Sequence, residues 1–104
     1  MLSEIAKGFE NRKPGVASFE TFAAECMGEM TSDPANASLY LMLGLTARQF
    51  YDQFAGQPLT VAVAEERKGR MLALARAAEA ALGEAADDKL SVLNDIALKS
   101  FAAE

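Results

Sequence analysis

The stretch from Asp33 to Gly56, DPANASLYLMLGLTARQFYDQFAG, constrains this chain more than any other. Asp33-Pro34 is a helix start: the carboxylate accepts from a first-turn N–H, and proline at the first helical position forfeits no bond. Gly56 followed by Pro58 is the matching stop, because glycine tolerates a left-handed cap and proline cannot continue the helix. The spacing predicts a central buried helix over 34–55, roughly 33 Å long at 1.5 Å per residue. At 100° per residue, Leu39, Tyr40, Leu43, Ala47, Phe50, Tyr51 and Phe54 share one face. Leu41, Met42 and Leu45 lie on the opposite side, so residues 39–45 are expected to need cover all round. Residues 46–55 need cover on one side only, with Arg48, Tyr51 and Asp52 at its border. The apolar run is far short of the ~20 residues a membrane span requires.

The flanks read as helices with one face to bury. Leu2, Ile5, Ala6 and Phe9 predict a short helix over 2–12, with Ser3 a candidate cap and Lys13-Pro14-Gly15 as its stop. Ser18 is read as the cap of a second helix, 19–31, with a stripe of Phe19, Phe22, Ala23, Cys26, Met27 and Met30. The short connection to the central helix favours an antiparallel hairpin. Residues 59–63, LTVAV, alternate like a strand, but an isolated strand has nothing to pair with, so a helix capped by Thr60 is expected. That helix ends at Gly83 or runs on to Ala86. Asp87 or Asp88 caps a last helix, 88–103, with Leu90, Leu93, Ile96, Ala97 and Phe101 inward and Asp95 and Lys99 outward.

Alanine, leucine, glutamate and arginine dominate, while valine, isoleucine and threonine are scarce, which favours helix over sheet. At 104 residues, 51% of them apolar, the chain is long enough for one domain with a real core. The expected fold is an all-α, four- to five-helix bundle spanning 1–104, its core formed by 18–103 and the N-terminal helix packed across it.

Several functions are disfavoured by composition. Histidine is absent, which removes Ser-His triads, Cys-His pairs, HExxH sites and the Glu-x-x-His di-iron motif. The net charge of −5 argues against a phosphate backbone or an anionic membrane as main partner. Read as a helix-turn-helix, 47–70 offers Gly56 as turn glycine, but Asp52 stands where a small residue belongs. The acidic residues Glu79, Glu84, Asp87, Asp88 and Asp95 match no calcium loop and read as an acidic loop and helix cap. No metal, cofactor or catalytic residue is assigned, and no enzymatic activity is expected. One cysteine permits no internal disulfide, and Cys26 within an apolar stripe flanked by glutamates reads as a packed core thiol. The start, MLSEIAKGFE, is amphipathic without an apolar core run, so no signal peptide is expected and the cytoplasm is the default.

Three features remain as candidate binding elements. The cluster Glu65-Glu66-Arg67-Lys68-Gly69-Arg70 encircles its helix with charge; Arg67, Lys68 and Arg70 could meet an acidic partner, while the plainer reading is a solvated turn whose lysine stem lies along the core edge. Tyr40, Tyr51 and Arg48 could fix a small polar ligand in a cleft between helices, the plainer reading being tyrosines packed with hydroxyls at the rim. Ala75, Ala78, Ala81 and Ala85 form a flat face that lets a second helix approach, from this chain or from another copy. The leading expectation is a small interaction or regulatory module, self-associating as a homodimer or binding a protein partner. A small-molecule binder with a pocket near Tyr40 and Tyr51 is the alternative.

Overall fold

Apolar spacing of 3.6 residues translates directly into the architecture. The computed structural model describes residues 1–82 and 85–101. Among these, the chain forms five α-helices: α1 (Leu2–Asn11), α2 (Val16–Ser32), α3 (Ala37–Phe54), α4 (Val61–Ala81) and α5 (Ala86–Phe101). The described residues contain no strand, so LTVAV is helical from Val61 onward, and Thr60 caps it by accepting from the Val63 N–H at 3.2 Å. No helix is long and apolar enough to cross a membrane among the described residues.

Helix starts depart from the sequence reading where side chains find other partners. The central helix does not run through 34–55. A single 3₁₀ turn occupies Pro34–Asn36, and α3 begins at Ala37. Instead of capping a backbone N–H, the Asp33 carboxylate accepts from the Asn36 side-chain amide at 2.9 Å, while the Asp33 carbonyl accepts the Asn36 backbone N–H at 3.1 Å. Ser18 is not a cap either: α2 starts at Val16, and the buried Ser18 hydroxyl donates back to the Gly15 carbonyl at 2.8 Å. Ser3 lies inside α1, whose N-cap is Met1. The last helix begins two residues earlier than expected, placing Asp87 and Asp88 in its first turn, where the positive end of the helix dipole favours them. It follows that α4 does not continue to Ala86; it closes at Ala81, and the proposed stop Gly83 lies outside the described residues. Gly56 does terminate α3 as expected, with φ at +76°, a conformation costly for any other residue.

The most extensive helix–helix contact is the α2–α3 hairpin; α1 then packs on α4 and α2, and α5 on α3 and α4. Far from lying merely across the bundle, α1 supplies Leu2, Ile5, Ala6 and Phe9 to the core. A chain of aromatic rings ties three helices together. Phe9 meets Phe19 edge-on at 5.1 Å and Phe22 at 4.9 Å, Phe19 stacks on Phe50 at 3.9 Å, and Phe50 meets Phe54 at 4.7 Å. In the hairpin, Gly44 is buried, and glycine makes room there, since a Cβ would stand 2.8 Å from the terminal methyl of Met27. The alanine face of α4 is consumed within the chain, with Ala75, Ala78 and Ala81 buried.

Two expectations about burial are overturned. Residues 39–45 are not covered all round: Leu41 is 36% exposed and Leu45 40%, because α2, α4 and α5 leave that edge of α3 open. On α5, Leu90 and Phe101 do not face inward. Ile96 is its one buried residue, flanked by half-buried Val92, Leu93 and Ala97.

Candidate functional site

The charged cluster on α4 divides between two tasks. Lys68 is spent on structure. Its ammonium donates to the carbonyls of Glu10 at 2.6 Å and Arg12 at 2.8 Å, which are left over at the C-terminal end of α1. A cation at that end also meets the negative pole of the helix dipole. The half-buried lysine thus ties α4 to the C-terminal end of α1. Arg67 and Arg70 both pair with Glu66, at 3.2 and 2.6 Å.

These two arginines line an open groove of about 560 Å³ built from all four helices α2 to α5. Its floor is the stacked Phe19–Phe50 pair with Met71 and Leu74. Thr46, Gln49 and Gln53 of α3 form one rim, Arg67 and Arg70 another, and Lys99 and Ser100 of α5 close the third side. No carboxylate lines the groove among the described residues. The arginines were legible as a cluster, but the floor was not, since it depends on α2 and α3 stacking Phe19 on Phe50 across the hairpin. The spacing of Arg67, Arg70 and Leu74 at i, i+3, i+7 is the one sequence signal for this face.

Tyr40, Tyr51 and Arg48 are not brought to one cleft. Tyr40 is 1% exposed; burial first, then the negative charges of Asp33 and Glu29, push its phenol above the ordinary tyrosine value. Tyr51 is half-buried on the same helix. Arg48 is exposed, pairs with Asp52 at 3.7 Å, and lines a separate groove beside Glu20, Glu25 and Met27. Neither groove is lined by either tyrosine.

Cys26 is fully buried. Desolvation, reinforced by Glu25 and Glu29, pushes its thiol up to about 12, so it is a packed thiol rather than a nucleophile at neutral pH. Met71 is buried in the core, Met30 and Met42 are half-buried against it, and half-buried Met27 lies against Gly44. Among the described residues, no three acidic or thiol side chains gather closely enough to hold a metal ion.

The outer surface of α5 is the second notable feature. Leu90 is 55% exposed, Leu98 67% and Phe101 42%, and with Asn94 they fall within an arc of about 80° opposite Ile96. No family model, curated protein or solved structure matches this chain.

Proposed function

We propose that this chain is a small, non-catalytic interaction module that works as a homodimer, joined through the outer face of α5. The observation that carries the reading is the second apolar stripe of that helix, Leu90, Leu98 and Phe101, on the side facing away from the core. Helices whose exposed face repeats large apolar side chains bury them against a partner. In an antiparallel pair, a twofold axis at Asn94 sets Leu90 of each helix opposite Leu98 of the other, pairs the two Asn94 amides, each of which both donates and accepts, and leaves Phe101 at the ends of the seam opposite the partner helix's first turn, which carries Asp87. A single polar residue at the centre of an apolar seam fixes its register at some cost in stability. Antiparallel alignment also opposes the two helix dipoles favourably. The match of Leu90 with Leu98 about Asn94 favours a second copy as the occupant. The single buried cysteine, with no disulfide to form within the chain, fits a reducing compartment such as the cytoplasm.

Size-exclusion chromatography with light scattering tests this. The expected result is a dimer at micromolar concentration that Leu98→Glu converts to a monomer with unchanged helical circular dichroism. A wild-type monomer at hundreds of micromolar would refute the reading, as would a dimer indifferent to Leu98→Glu and Leu90→Glu.

A further inference from the structure

We propose that the groove between α2, α3, α4 and α5 is a binding site for a small amphipathic anion, an aryl or alkyl carboxylate or sulfonate, independent of the dimer face. The argument begins with charge. The chain as a whole carries −5, yet the groove is lined by Arg67, Arg70 and Lys99 without a lining carboxylate. Glu66 neutralises one of the two arginines it touches, leaving the rim about two charges positive. Surface ion pairs of this kind are weak. An incoming anion therefore competes with Glu66 on favourable terms once it brings apolar area of its own. Arginine suits this task because its planar fork meets carboxylate and sulfonate oxygens two at a time.

The floor supplies the apolar half. The stacked rings of Phe19 and Phe50, 3.9 Å apart, lie in it with Met71 and Leu74. Gln49 and Gln53, one turn apart on α3, present amides that accept or donate at the opposite rim. Few polar groups around an apolar floor is the usual composition of a small-ligand site. The groove, at about 560 Å³, falls in the size range of small-molecule sites. A drug-sized ligand fits the volume whole.

The test uses two fluorescent probes with one skeleton, 1-anilinonaphthalene-8-sulfonate, which is anionic, and N-phenyl-1-naphthylamine, which is neutral. The proposal expects the sulfonate to bind at least tenfold more tightly, to weaken in high salt, and to be displaced by dodecanoate. Gln49→Glu adds one carboxylate at an exposed rim position that leaves packing untouched. It should weaken the sulfonate at least fivefold and leave the neutral probe unchanged, and Arg70→Gln should do the same. In heteronuclear NMR the side-chain amides of Gln49 and Gln53 should shift on titration, while Asn94 on the outer face of α5 should not. Equal affinity for the two probes, or shifts confined to Asn94, would overturn the site. So would an acidic amphipathic peptide that shifts Gln49 and Gln53 where neither the sulfonate nor dodecanoate does. The monomeric Leu98→Glu variant should keep its sulfonate affinity, so loss of the dimer leaves this site standing.

Discussion

Replacing Lys68 by methionine isolates one interaction that joins distant parts of the chain. Methionine keeps an unbranched stem and removes the ammonium that donates to the carbonyls of Glu10 and Arg12. Hydrogen bonds from a charged donor contribute about 1.5–3 kcal/mol when well shielded. The Glu10 carbonyl is in an exposed setting, so water replaces that bond at little cost. The Arg12 carbonyl is partly buried and loses more. The cation's attraction to the end of α1 adds about 0.3–1 kcal/mol. Together these place the loss at about 1–2 kcal/mol. With a urea slope of about 1.5 kcal/mol per molar, the unfolding midpoint should fall by about 1 M, with an unchanged slope. Native-state hydrogen exchange should show the lost protection concentrated in α1. The neighbouring contact of Arg76 with Glu10, 3.3 Å long and exposed, supplies a control: Arg76→Gln should cost well under 1 kcal/mol. A loss below about 0.3 kcal/mol for Lys68→Met would refute the reasoning and return the lysine to the solvated surface.

Leu43 is fully buried in the α2–α3 hairpin, so Leu43→Ala should cost about 2–5 kcal/mol in denaturant titration, and a cost under about 1 kcal/mol would mean that α3 is not the centre of the core. Cys26 gives a pH signature. Its folded value of about 12 lies above the ordinary 9.0, so the stabilisation is complete below about pH 9 and is lost as pH rises toward 12. Tyr40 titrates in the same sense, so the measurement is the difference between wild type and Cys26→Ala, whose alkaline loss should be smaller by several kcal/mol. Alkylation of Cys26 at pH 8 should be slow in the folded protein and fast in denaturant.

Punctuation by local chemistry was readable from the chain. Pro34, Gly56 and Thr60 act through their own backbone or the next turn, and all three mark boundaries where the structure changes course. Asp33 and Ser18 misled because each has a competing local partner, an asparagine amide and a glycine carbonyl, that satisfies it equally well. Facing was harder. Helices α3 and α5 each carry apolar residues on two sides, and periodicity alone cannot rank which side is covered. Leu41 and Leu90 were therefore assigned to the interior that Leu43 and Ile96 occupy. Of the candidate site, Arg67 and Arg70 were visible as neighbours on one helix. The floor of the groove was not, because Phe19 and Phe50 become a pair only after the hairpin closes. The role of Lys68 was hidden for the same reason: its acceptors lie 58 and 56 residues away.

That separation has a kinetic meaning. The α2–α3 hairpin closes over a short connection and makes the largest helix contact in the molecule, so its loop entropy is low and it is the natural folding nucleus. The docking of α1 on α4 closes a loop of more than fifty residues and belongs after the barrier. Leu43→Ala then slows folding, while Lys68→Met leaves the folding rate nearly unchanged and speeds unfolding. The lysine that clasps the two ends of this loop is thus a brake on escape from the native state and contributes little to reaching it.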